Sequence, residues 1–205
     1  LGDTFSGIEN LTGSDYNDTL YGNNGGNILT GGLGNDTLDG FAGNDTMYGG
    51  GGTDTIYANQ GSDTASGGEN NDTFYVSSLI LPTLIDGGAD AGGNGNVMVL
   101  QELVDGESYD LAALANITNN IDTLDISGDS AYTNIAITGQ DVQDMVDNGN
   151  ASELIVKADN GDTLDLTAFA GAGETYSTTV IDASHTDYTI YASSVQIAQI
   201  HWQTA

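Results

Sequence analysis

The residues best suited to chemistry in this sequence are aspartates that recur every nine positions through its first third. Glycines cluster before each aspartate, and an apolar residue follows two positions later, with Thr between them in six of the seven copies. The cleanest copies are residues 31–39 and 49–57, and Asn replaces Asp in one copy. The series is Asp18, Asn27, Asp36, Asp45, Asp54, Asp63 and Asp72.

The nine-residue spacing predicts how these side chains are positioned. Three alternating residues form a short strand with one buried side chain, and six residues rich in Gly, Asn and Asp form a turn. Two repeats then make one coil, whose strands stack in parallel about 4.8 Å apart. Asp18, Asp36, Asp54 and Asp72 are expected along one edge of the stack, with the other three residues of the series along the opposite edge.

Such a stack of carboxylates requires cations. Neighbouring carboxylates about 5 Å apart repel by roughly 3 kcal/mol at an effective dielectric constant near 20. Carboxylates and the carbonyls of glycine-rich turns are hard oxygen ligands, which favour Ca²⁺. The two edges contain five gaps between successive turns, so about five Ca²⁺ sites are predicted. The gaps next to Asn27 and next to the irregular turn at 58–62 are expected to be the weakest.

The candidate metal ligands are therefore the side chains of the series together with the backbone carbonyls of the turns. Asp86 and Asp90, in the glycine-rich stretch 86–95, are either further cation ligands or turn residues. The candidates in the repeats are Asp18, Asn27, Gly31, Gly32, Leu33, Gly34, Asp36, Gly40, Ala42, Gly43, Asp45, Gly49, Gly50, Gly51, Gly52, Asp54, Gly61, Asp63 and Asp72.

The pattern Gly-Gly-x-Gly-x-Asp-x-apolar-x resembles the calcium-binding nonapeptide of RTX proteins over residues 13–75. The resemblance implies a parallel β-roll with Ca²⁺ bound between its turns. This chain departs from the pattern at Asn27, at Phe41, in the turn 58–62 and at residues 69–70. Without Ca²⁺, the glycine- and aspartate-rich composition predicts a disordered chain.

The composition of the chain argues against several classes of binding partner. It has 24 Asp and 6 Glu against one basic residue, Lys157, giving a formal net charge of −29. This charge argues against nucleic acid and anionic membranes as partners, and no apolar run approaches the length that membrane insertion requires. The absence of Cys excludes disulfides. The chain starts without Met, so we expect it to be part of a larger parent chain.

The remainder of the chain predicts an all-β fold: a β-roll over 1–76, a junction over 77–96, and an irregular β-solenoid with antiparallel capping strands over 97–205. One helix is predicted at 140–148, and an antiparallel meander covers the tail from residue 176. A capping role follows because the open edges of a roll invite aggregation. Strands are predicted at 97–100, 109–111, 123–126, 135–137, 154–157 and 163–166.

Residues 121–126, 139–142, 154–156 and 161–166 are similar to the segment that follows RTX repeats near the C-terminus of large type I-secreted bacterial adhesins. The resemblance implies a secreted or cell-surface module that supports export and display. Two alternatives are the non-catalytic RTX tail of a secreted protease or lipase, and a self-assembling surface fibre or layer subunit joined through roll ends. A surface ligand of the parent protein is compatible with the first hypothesis.

Catalysis is not predicted. Both histidines lie in the tail, outside any metalloprotease motif, and there is no cysteine nucleophile. Gly128-Asp129-Ser130 and Asp182-Ala183-Ser184-His185 resemble the two ends of a Gly-Asp-Ser hydrolase only weakly, because the alternating helices and strands of that class are missing. The tyrosines at 21, 48, 57 and 75 form either a sugar-stacking stripe or ordinary outward strand positions.

Overall fold

The computed structural model describes residues 9–89, 95–101, 108–110, 114, 117–127, 134–136, 153–158, 163–165, 174–182, 185–192 and 195–204. The regular secondary structure of the described residues is almost entirely β-strand, which confirms the predicted fold class. The predicted helix at 140–148 lies outside the described residues. Among the described residues, no helix has both the length and the apolarity needed to cross a membrane.

Residues 10–77 form two facing parallel sheets whose strands alternate along the chain. Each strand pairs with the strand two repeats later, as when Thr37 pairs with Thr55, which confirms the predicted coil. The strands are β1 (Asn10–Thr12), β2 (Thr19–Tyr21), β3 (Ile28–Leu33), β4 (Thr37–Asp39), β5 (Thr46–Gly51), β6 (Thr55–Ala58), β7 (Thr64–Glu69) and β8 (Thr73–Ser77).

The core of the roll contains the one apolar residue that each repeat points inward. Strand alternation sends the flanking residues outward, so in the repeats from Thr37 to Thr73 the Thr is half-buried while its apolar neighbour is buried. One apolar side chain per repeat makes a thin core, which leaves much of the stabilisation to the turns. The inward residues of the central repeats are fully buried: Leu29, Leu38, Met47, Ile56, Ala65 and Phe74.

Both sheets continue through the predicted junction. Strand β9 (Leu84–Ala89) pairs with β7 and places Leu84 beside Thr64. Strand β10 (Val97–Gln101) pairs with β8 and places Val97 beside Thr73. Each of these coils is longer than two repeats, but the parallel pairing is unbroken.

The second half extends this stack with longer coils. Six of its strands match those predicted between 97 and 166 to within one residue at each end, and the short strand at Thr118–Asn119 was not predicted. Three longer strands at the end of the chain form the predicted antiparallel meander. The bounds are β11 (Ser108–Asp110), β12 (Thr118–Asn119), β13 (Thr123–Asp125), β14 (Asn134–Ala136), β15 (Glu153–Ala158), β16 (Thr163–Asp165), β17 (Glu174–Asp182), β18 (His185–Ala192) and β19 (Val195–Thr204).

The meander is attached to the roll rather than separate from it. Strand β19 pairs in parallel with β15, and β15 pairs in parallel with β13, so the tail completes a 10-stranded sheet that runs back to β2. Strands β11, β14 and β16 form a separate three-stranded parallel sheet.

Candidate metal centre

Hydrogen bonds connect the repeated carboxylates into two rows, one along each edge of the roll. The backbone N–H of each residue in a row donates to the Oδ1 of the matching residue two repeats later. This arrangement confirms the predicted division of the series between two edges. Bonds of 2.7–2.9 Å link Asp18 to Asp36, Asp36 to Asp54, Asp54 to Asp72, Asn27 to Asp45, and Asp45 to Asp63.

The second carboxylate oxygen of these residues has a different environment. Within the described part of the chain, the buried Oδ2 atoms of Asp36, Asp45, Asp54 and Asp63 have no hydrogen-bond partner. These side chains are at most 2% exposed. A buried anionic oxygen without a partner is strongly unfavourable, so each of these turns requires a positive group.

The glycine that begins each turn leaves space beside that oxygen. An ideal Cβ on Gly49 would contact Asp54 Oδ2 and lie 2.6 Å from the carbonyl oxygen of Gly67, one turn further on. An ideal Cβ on Gly31 would likewise contact Asp36 Oδ2 and lie 2.5 Å from the Gly49 carbonyl oxygen. The carboxylate oxygen and the carbonyl oxygen of the next turn therefore lie beside the same glycine, as two oxygen ligands of one Ca²⁺ ion would.

The second glycine of the turn brings further backbone oxygens close. Gly50 has a φ of 114° and Gly68 has the same value, which glycine adopts at little cost. A Cβ on Gly68 would contact the Gly50 carbonyl oxygen, so a side chain here would push adjacent turns apart. In the described ranges no three Asp, Glu, His or Cys side chains cluster around a metal position. Backbone carbonyls must therefore supply part of any ligand set.

Burial and the repulsion of neighbouring carboxylates raise the pKa values of three aspartates in the two rows. Burial raises the pKa of Asp54 to about 6, and the neighbouring Asp36 carboxylate adds to the shift. Burial raises the pKa of Asp63 to about 6 in the same way, with the Asp45 carboxylate contributing. The pKa of Asp45 is also raised by burial. A bound cation would offset these shifts, because it favours the ionised form of the carboxylate.

The first turn on each edge is stabilised by the chain itself. The Oδ2 of Asp18 accepts hydrogen bonds from the N–H of Ser14 at 2.6 Å and from its hydroxyl at 2.8 Å. The Oδ1 of Asn27 accepts the N–H of Asn23 at 2.8 Å. These turns therefore have less need of a cation than the turns that follow them.

The candidate ligands in the turns differ in what they contribute. Leu33 and Ala42 offer backbone oxygens only, and the Leu33 side chain is exposed. The Gly51 carbonyl accepts the N–H of Gly34 at 2.8 Å, which links adjacent turns directly. On the second edge Ala58 replaces the first glycine of the turn before Asp63. In that turn, a Cβ on Gly61 would contact the Gly43 carbonyl oxygen, so the backbones are closely packed.

Sequence reasoning missed the continuation of the first row beyond Asp72. The N–H of Asp72 donates to Asn96 Oδ1 at 2.7 Å, and the N–H of Asn96 donates to Asp122 Oδ2 at 2.9 Å. A signal was present, because Asp122-Thr123-Leu124 repeats the Asp-Thr-apolar pattern. On the second edge Glu9 precedes Asn27, and its carbonyl accepts the N–H of Ile28.

Asp86 and Asp90 in the glycine-rich stretch were each predicted to be either a cation ligand or a turn residue. Asp86 Oδ1 accepts the N–H of Gly88 at 3.1 Å and the side-chain amide of Asn120 at 2.7 Å. These contacts are those of a turn residue. Asp90 lies outside the described residues.

Fold and turns together define a parallel β-roll whose buried carboxylates and glycine carbonyls suit calcium. The family model of the RTX calcium-binding nonapeptide repeat (four copies) matches residues 3–38, 21–56 and 48–77. Residues 3–77 are therefore RTX repeats, which form a non-catalytic calcium-binding module, as the resemblance implied. No curated protein matches the chain.

Proposed function

We propose that this chain is a structural module that folds when Ca²⁺ binds between the turns of its roll. The observation that carries the proposal is the set of buried Oδ2 atoms of Asp36, Asp45, Asp54 and Asp63, which have no hydrogen-bond partner among the residues that the structure describes. Beside those of Asp36 and Asp54, a glycine carbonyl of the next turn borders the same space. The bound ion would supply the positive charge that these oxygens require. The chain's own part is to hold the oxygens in register through the N–H to Oδ1 bonds.

We propose about five Ca²⁺ sites, the number predicted from the gaps between turns, but we assign them to different turns. Asp36, Asp45, Asp54 and Asp63 provide four of them, each with the carbonyls of its own and adjacent turns. Asp72 provides the fifth, because a Cβ on Gly67 would contact Asp72 Oδ2 and lie 2.6 Å from the Gly87 carbonyl oxygen. The gaps that follow Asp18 and Asn27 are proposed to bind weakly, because hydrogen bonds within those turns satisfy the oxygens that face the gaps.

We further propose that the module belongs to the C-terminal part of a secreted bacterial adhesin and supports its export and display. RTX repeat proteins are typically secreted by type I systems, which favours an extracellular location. The adhesin assignment rests on the resemblance of residues 97–192. The proposed division is a roll at 1–76, a junction at 77–96 and a capping region at 97–205. An RTX tail of a secreted enzyme would share the same roll, and the upstream part of the gene distinguishes the two.

Circular dichroism with and without Ca²⁺ tests the proposed function. In EDTA the far-UV spectrum should be that of a disordered chain, and Ca²⁺ at about 0.1–1 mM should convert it to a β-rich spectrum. Mg²⁺ should substitute poorly because it requires tight octahedral geometry and dehydrates reluctantly. The same β-signal with and without metal would refute calcium-dependent folding.

A further inference from the structure

The first row of the roll contains one turn with different chemistry. Asn96 follows Asp72 in the row, and its side chain is fully buried. Its Oδ1 accepts the N–H of Asp72 at 2.7 Å, just as Asp72 Oδ1 accepts the N–H of Asp54. The amide oxygen of Asn96 thus replaces the Oδ1 of the carboxylates.

The amide nitrogen then occupies the position of the second carboxylate oxygen. Nδ2 of Asn96 donates a hydrogen bond to the carbonyl oxygen of Asn120 at 3.0 Å. A Cβ placed on Gly87 would contact both of these atoms. At Gly49, the corresponding contacts are two oxygens, Asp54 Oδ2 and the Gly67 carbonyl. Two facing oxygens require a cation between them, whereas an N–H facing an oxygen forms a hydrogen bond.

We propose that the Asn96 amide takes the place of a calcium ion and ends the metal-binding row of the first edge. This inference rests on the proposed calcium sites in the preceding turns. The turn formed by Gly87, Asn96 and Asn120 then joins the roll to the following strands without metal. Ca²⁺ binding along this edge stops at the gap between Asp72 and Gly87.

The surroundings of Asn96 hold its amide in this orientation. The backbone N–H of Asn96 donates to Asp122 Oδ2, which holds the residue in place. The side-chain amide of Asn120, whose carbonyl accepts the Asn96 bond, donates in turn to Asp86 Oδ1 at 2.7 Å.

Asn27 shows that the residue type alone does not decide the outcome. A Cβ on Gly22 would lie 2.5 Å from Asn27 Oδ1 and 2.8 Å from the Gly40 carbonyl oxygen. In that turn an oxygen of Asn27, not its amide nitrogen, lies beside the Gly40 carbonyl, and the N–H of Asn23 donates to that oxygen at 2.8 Å.

The first test is Asn96→Asp, measured by equilibrium dialysis against saturating Ca²⁺ with metal analysis. The variant replaces the N–H donor by a carboxylate oxygen that faces the Asn120 carbonyl. It should bind one more Ca²⁺ per chain than the unmodified protein, and its folding should require more Ca²⁺. Asn119→Asp is the matched control, because it adds the same charge at an exposed neighbouring position and should leave the ion count unchanged. A folded Asn96→Asp variant with the unmodified ion count would overturn the inference.

The reciprocal substitution keeps the inference testable if Asn96→Asp does not fold. Asp54→Asn reproduces the Asn96 arrangement, with Oδ1 accepting the N–H of Asp36 and Nδ2 donating to the Gly67 carbonyl. It should bind one Ca²⁺ fewer and fold at a lower Ca²⁺ concentration than Asp54→Ala, which loses the ion without replacing it. Equal Ca²⁺ midpoints for the two variants would count against the inference. An unmodified protein that binds no Ca²⁺ would instead refute the proposed function.

Discussion

Filling one of the spaces beside the carboxylates with a single methyl group should remove one calcium ion. Gly49→Ala is the best choice, because its new Cβ would contact Asp54 Oδ2 and lie 2.6 Å from the Gly67 carbonyl oxygen. The φ of Gly49 is outside the left-handed region, so the substitution adds no backbone strain of that kind. Its effect therefore comes from the methyl group itself and from the displaced ion.

Two contributions set the size of the effect. A site saturated at ten times its Kd stabilises the folded state by about 1.4 kcal/mol, and this stabilisation is lost with the ion. Overpacking of a closely packed site typically costs about 1–3 kcal/mol. Together they predict a loss of roughly 2–4 kcal/mol at saturating Ca²⁺, a large fraction of an ordinary domain's stability.

The assay is urea unfolding at saturating Ca²⁺, combined with the ion count from dialysis. Gly25→Ala is the control, because its Cβ would approach only Asn23 Oδ1, at 3.3 Å, and residue 25 is exposed. The control should keep every ion and change stability by less than about 0.5 kcal/mol, as is usual for surface substitutions. The reasoning would be refuted if Gly49→Ala kept all ions, or if both variants lost the same stability.

Three further predictions concern the acids and the metal. Asp54→Ala should lose more stability and more bound Ca²⁺ than Asp39→Ala, because Asp54 is buried in the row while Asp39 lies on an outward strand position. Equal stoichiometry and equal midpoints for the two variants in calorimetry would contradict the role of Asp54 as a metal ligand. Asp54 and Asp63 have a pKa of about 6 in the metal-free fold, against a reference value of 3.8. Between about pH 4 and 6 the folded state therefore retains protons that the unfolded chain has already released. Their contribution to metal-free stability is therefore present below about pH 4 and lost as the pH rises through 6. Because the metal-free fold loses this stability, the Ca²⁺ concentration at the folding midpoint should increase as the pH rises from about 5 to 7; a midpoint independent of pH would exclude this linkage. Five ions at ten times their Kd would supply roughly 7 kcal/mol, and because adjacent sites share turns, a far-UV titration should give a Hill coefficient above one; a shallow curve would mean independent sites on a preformed scaffold.

The sequence alone determined the roll and the two edges along which its aspartates lie. A nine-residue period leaves one way to align strands of the same face, so the two-repeat register and the two rows of carboxylates followed directly. The inward residues were also predictable, because alternation within a short strand leaves one buried position. The hard oxygen ligands of the turns favoured Ca²⁺, and the family resemblance implied the same ion.

The strand pairing after Tyr75 could not be derived from the sequence. Leu84 pairs with Thr64 and Val97 pairs with Thr73, so the coils lengthen by different amounts, and no local period marks these pairings. The pairing of β19 with β15 joins strands that are far apart in the sequence.

The orientation of the Asn96 amide was equally beyond the reach of the sequence. It depends on Asp72, Asn120 and Asp122, which are all distant along the chain. An amide presents either an oxygen or a nitrogen according to its partners, and those partners are assembled by folding.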